Sequence, residues 1–134
     1  MRKLLPLLAG TLLLGTSAAL ADPPDREAEL ERALAGRVAE APVACIDLHR
    51  IRNTRIINGT AILYDAGSIV YVNRPDSGAE SLRRWDRMQT RTMMTRLCSI
   101  DTVEMFDTNV NTLKGIVFLG EFVPYRRVRT SAAD

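Results

Sequence analysis

His49 is the sole histidine of this 134-residue chain, and Cys45 and Cys98 are its two cysteines. One imidazole rules out zinc sites and relays that need several histidines. No Cys-x-x-Cys exists, so neither thiol has a resolving partner beside it in sequence. No Gly-x-Ser-x-Gly elbow, phosphate loop or His-Glu-x-x-His motif is present. Asp47, Asp101, Glu104, Asp107 and Glu121 supply carboxylates, and paired carboxylates can run glycoside hydrolysis. Basic neighbours near Asp101 and Glu104 point instead to surface ion pairs. The expectation is a chain with no enzymatic activity, no catalytic residue, no metal ligand set and no cofactor. A small hydrolase ranks third among the readings.

Two other constellations carry binding chemistry. Trp85, Met88, Met93, Met94 and Met105, with His49, are the residue types of a soft Cu(I) site, because thioethers select that ion. A Cu(I)-binding protein is therefore the alternative function, set against the ordinary use of methionine as a gap-filler in cores. The stretch "VPYRRVR" (123–129) places Arg126, Arg127 and Arg129 beside Tyr125. Strand alternation puts Arg127 and Arg129 on one face with Tyr125 and turns Arg126 away. Paired guanidinium groups hold phosphate or carboxylate bidentately, so Arg127, Arg129 and Tyr125 form the candidate anion-binding site. The competing reading is a charged edge strand that discourages aggregation.

The compartment decides the cysteine chemistry. Arg2 and Lys3 precede an apolar run over 4–20, and Ala19-Leu20-Ala21 offers a small-x-small cleavage site. That is the layout of a secretory signal peptide over residues 1–21, expected in a bacterium and delivering the chain to the periplasm or exterior. No second long apolar run follows, so no transmembrane segment is expected in the mature chain. In an oxidising compartment two cysteines in one small domain pair. A Cys45–Cys98 disulfide is expected, worth about 4 kcal/mol in the chain-entropy account. The chain has 18 basic and 16 acidic residues; with Arg2 and Lys3 set aside the two balance. Net charge does not argue for nucleic acid, and the few scattered aromatics argue against a platform for carbohydrate or single-stranded nucleic acid. Partners are otherwise open, with weak contact to an anionic envelope surface as the one named candidate.

The elements that must position these residues are mainly β. Residues 25–39 read as one amphipathic helix, capped by Asp25, weakened by Gly36 and ended by Pro42. "TRIINGTAILY" marks a hairpin with a two-residue Asn58-Gly59 turn, in which Ile57 faces Thr60 and Ile56 faces Ala61. Further strands are expected at 69–73, 87–92, 99–107 and 115–122. The fold class is a small antiparallel sheet or barrel-like domain of about five to six strands with one N-terminal helix. Its expected organisation is helix and linker over 22–42, a disulfide-stapled β domain over 43–129 and a disordered tail over 130–134.

The run "CIDLHRIRNTRIINGTAILY", with "YVN" (71–73), "LCSIDTV" (97–103) and "LGEFVP" (119–124), resembles a family of small secreted proteobacterial proteins of unknown function. The similarity covers residues 45–124. Many members have four cysteines. Here Ala79-Glu80-Ser81-Leu82 stands where that family has Cys-Pro-Gly-Leu, and Val117 stands at its last cysteine. The resemblance implies that Ala79 and Val117 occupy a vacated disulfide site. It brings no activity with it. The function expected from sequence is a non-enzymatic secreted or periplasmic binding or structural module.

Overall fold

The computed structural model describes residues 25–129. The expected signal peptide over 1–21 and tail over 130–134 lie outside the described residues. The domain is mainly β, with one α-helix and antiparallel sheets. Helix α1 (Arg26–Ala33) begins at Asp25, whose carboxylate accepts from the N–H groups of Glu27 and Ala28. It is shorter than the expected 25–39. Leu34 N–H closes the last turn onto Leu30 and Glu31 carbonyls, and the chain then extends as β1 (Arg37–Ala39). Intrinsic propensity in this alanine-rich stretch is a weak force. Backbone bonding to another strand overrides it: Glu40 N–H donates to Pro124 O and Val128 N–H to Gly36 O. Arg37–Ala39 therefore form a sheet strand, where the sequence points to the end of the helix.

The central sheet is five-stranded, in the order β1-β10-β5-β4-β3. Its members are β3 (Asn53–Ile57), β4 (Ala61–Asp65), β5 (Ile69–Asn73) and β10 (Phe122–Arg127), with β1 at one edge. The hairpin at Asn58-Gly59 forms with a different register from that expected. Ile57 opposes Ala61 and Ile56 opposes Ile62, so three residues make the loop. A two-residue type I′ turn needs positive φ at both central positions; Gly59 has it and Asn58 does not. Asn58 is held otherwise, its side-chain oxygen accepting from Arg84 N–H at 2.7 Å.

Two smaller sheets lie against this one. The first pairs β2 (Cys45–Asp47) with β7 (Arg96–Cys98), and the second orders β6 (Arg87–Thr90), β8 (Thr102–Phe106) and β9 (Leu113–Phe118). The stretch 115–122, expected as one strand, is split between β9 and β10 because the chain changes sheets there. Asn73 fixes the crossing. Fully buried, it donates to Gly120 O at 2.7 Å and accepts from Gly120 N–H at 3.1 Å. A side chain at Gly120 would meet Arg74 O at 2.4 Å.

The central sheet is buried on both faces. On one, Leu30 of α1 and Leu34 just after it pack with Ile57, Ala61, Leu63, Val70 and Val72. On the other, Ile56, Ile62, Tyr64 and Phe122 pack with Ile46, Leu97, Val103, Met105 and Val117 from the smaller sheets. Central strand β4 is therefore buried from Ala61 to Tyr64 without alternation, the pattern of a strand covered on both sides. No helix among the described residues is long and apolar enough to cross a membrane.

Candidate functional site

The cysteines are structural. Cys45 and Cys98 are joined, with Cα atoms 4.0 Å apart across a sequence separation of 53. They oppose each other directly in the β2–β7 ladder. Ser99 N–H donates to Ala44 O at 2.8 Å in the neighbouring pair, so Cys45 and Cys98 occupy a non-hydrogen-bonded position, where antiparallel strands bring Cα atoms closest. The Asp101 carboxylate accepts from Cys98 N–H at 2.7 Å, so this acid is committed to the staple. Ser77 bridges Phe118, and a Cβ on Gly78 would lie 3.1 Å from Val117 Cα. The stretches holding Ala79 and Val117 thus run side by side.

The methionines are dispersed by the fold. Met88 and Met105 oppose each other on β6 and β8, Met105 in the core and Met88 packed against it. Met93 and Met94 are exposed in the loop after β6. His49 is exposed in a one-turn helix over Leu48–Arg50. Trp85 stands out in solvent at 81 % exposure. Glu104, among the carboxylates considered for hydrolysis, is bound by Arg91 at 3.0 Å.

The arginine cluster is more extensive than "VPYRRVR" indicates. β10 lies between β1 and β5, so it is not the edge strand that the sequence points to, and the edge-protection reading loses its premise. Tyr125 is half-buried and packs against the apolar cluster under α1. Arg127 opposes Arg37 of β1. Arg126, expected to point away, pairs with Glu40 at 2.5 Å, and that bond holds the carboxyl of Glu40 below its ordinary value. All the same, Arg126, Arg127 and Arg129 line one open depression of about 940 Å³ at the end of the sheet. Arg52 completes it from before β3, across the β4–β5 turn. Asp65 organises this turn by accepting from Gly67 N–H at 2.7 Å, while Arg37 donates to the Gly67 and Ser68 carbonyls. Arg52, Arg127 and Arg129 have no carboxylate partner among the described residues. Sequence reasoning missed Arg52 because seventy-three residues separate it from Arg126.

Three guanidinium groups without counter-ions, around one concavity, are suited to an anion with several oxygens. No family model, no curated protein and no solved structure matches this chain.

Proposed function

We propose that this protein is a non-enzymatic, exported binding module that holds the anionic headgroups of an envelope surface in the depression at the end of β10. The observation that carries this reading is the convergence of Arg127 and Arg129 with Arg52 around one concavity, none with a carboxylate partner among the described residues. The Cys45–Cys98 disulfide supports the exported half of the reading, since such bonds persist in oxidising compartments. Basic and acidic residues nearly balance over the chain. Attraction to a surface is then local to this cluster and is screened over a Debye length of about 8–10 Å.

The test is co-sedimentation with phosphatidylcholine vesicles with and without phosphatidylglycerol, at low and physiological salt. The wild type sediments with the anionic vesicles at low salt and releases as salt rises. Arg127→Ala/Arg129→Ala stays in the supernatant. Equal sedimentation of the two proteins sinks the reading.

A further inference from the structure

One hollow beside α1 has a lining that is one-sided in charge. Beside the helix lies a second depression of about 580 Å³, lined by Arg26, Arg32, Arg55 and Arg84 with Trp85 at its rim. Glu29 is its one carboxylate. Arg26 approaches Glu29 at 3.3 Å and Arg55 at 3.6 Å, and Arg84 also binds it. Three guanidinium groups share one acid, so positive charge remains in excess there. A third, smaller hollow of about 180 Å³ shares Ala33 and Arg55 with this depression and is lined by Arg37 as well. Arg37 reaches on to the Gly67 and Ser68 carbonyls, and Gly67 and Ser68 line the depression at the end of β10. The three hollows thus follow one another along β3, from the Asn58 turn past Arg55 and Asn53 to Arg52 and the β4–β5 turn. Arg52 lies six positions before Asn58, about 20 Å of extended chain. Among the described residues, Glu29 and Asp65 are the only carboxylates lining any of the three, and Asp65 is occupied by Gly67 N–H.

Trp85 stands at one end of this track on a main chain held by hydrogen bonds. Its carbonyl accepts from Thr108 Oγ1 at 2.6 Å. The preceding N–H, of Arg84, is bound to Asn58. The main chain is pinned from two sides while the indole stays in water, although covering a large apolar ring face is favourable.

We infer that the track is a binding groove for an acidic oligosaccharide, whose carboxylate or phosphate groups lie along the arginines from Arg129 to Arg84 and whose terminal sugar ring stacks on Trp85. This rests on the headgroup reading above and extends it from one anionic group to a chain. The single platform favours a saccharide over single-stranded nucleic acid, which uses aromatic rings repeatedly along its path. Tyr125, the aromatic residue nearest the other end, is half-buried against the core.

Trp85 is the sole tryptophan, so its emission reads one end of the groove while the variants alter the other. Galacturonic acid and its oligomers of increasing length are titrated into the wild type and Arg127→Ala/Arg129→Ala, with calorimetry for Trp85→Ala. Emission shifts to the blue, and long oligomers bind at least about tenfold more tightly than the monomer, as linked contacts do. Arg127→Ala/Arg129→Ala removes most of that length advantage, and Trp85→Ala weakens long and short oligomers alike. Matching circular-dichroism melting curves establish that the variants are folded. Emission that responds equally in Arg127→Ala/Arg129→Ala overturns the continuous groove, whatever the vesicles show. No emission response, with vesicle binding intact and arginine-dependent, overturns the groove and leaves the headgroup reading standing. Tighter binding of a single-stranded DNA of equal charge overturns the saccharide assignment.

Discussion

Two buried polar side chains have opposite energetic meanings. Asn73 lies at the centre of the domain with both functions of its amide engaged by Gly120. Truncating it strands an N–H and a carbonyl away from water, which costs about 1–3 kcal/mol for each group left unsatisfied. Tyr64 is equally buried, and its ring meets Phe122 edge-on with centroids 5.8 Å apart. Its hydroxyl has no hydrogen-bond partner among the described residues, and burial pushes its pKa up. Asn73→Ala should lower the urea-unfolding free energy by roughly 3 kcal/mol. Tyr64→Phe should leave it unchanged or raise it by about 1 kcal/mol, because no bond is lost and a desolvated hydroxyl is removed. A destabilised Tyr64→Phe would mean that the hydroxyl is satisfied in solution.

The elements differ in how far their sequences announce them. The β3–β4–β5 meander was legible from β-branched runs separated by Asn-Gly and Asp-Ala-Gly-Ser, since those cues are local. Strands β1, β2 and β7 have three residues each, too few for any period, and their partners are distant in sequence. The split of 115–122 into β9 and β10 depends on Asn73 reaching Gly120, which no local pattern encodes. The same holds for the binding surface. Arg127 and Arg129 were visible as a cluster, whereas Arg52, Arg55 and Arg84 join them only through the fold. The disulfide was expected from the signal-like N-terminal pattern and the cysteine count, but its element was not. It staples β2 to β7, a two-stranded ladder separate from the central sheet. Cys45→Ala/Cys98→Ala should therefore cost about 2–4 kcal/mol and raise amide exchange most in Cys45–Asp47 and Arg96–Cys98. Uniform loss of protection across β3, β4 and β5 at the same denaturant would show that the ladder is instead coupled to the whole sheet.

At the scale of the whole molecule, arginine–carboxylate pairs fasten α1 and the segment after β1 to the sheet, and Arg84 and Arg126 among them also line the proposed groove. Arg74, following β5, forks onto Glu27 of α1 with bonds of 2.9 and 2.7 Å, and this hydrogen bonding holds the Glu27 carboxyl below its ordinary value near 4.5. Burial pushes the Glu29 carboxyl up, but the Arg26 hydrogen bond and the Arg84 charge outweigh it and bring it below the same value. Arg126 does likewise for Glu40, which follows β1. A carboxyl whose pKa is lower folded than unfolded stabilises the fold above the unfolded value and loses that contribution as pH falls through the folded one. Stability should thus be flat in pH above about 5 and decline progressively below the ordinary carboxylate value. Loosening should begin at α1 and β1, whose ties are these pairs, before β4 and β5 are exposed. The pairs are partly open to solvent, so added salt should narrow the acid effect by screening them. Acid also frees Arg26, Arg84 and Arg126 from their carboxylates. A ligand whose charge stays constant, such as a sulfate monoester, should then bind more tightly near pH 3 than near pH 7, even as the helix loosens. The measurements are urea midpoints and amide exchange across pH at two salt concentrations, with sulfate-ester titrations alongside. A midpoint independent of pH down to about 3 would mean that these ion pairs contribute nothing to holding α1 in place.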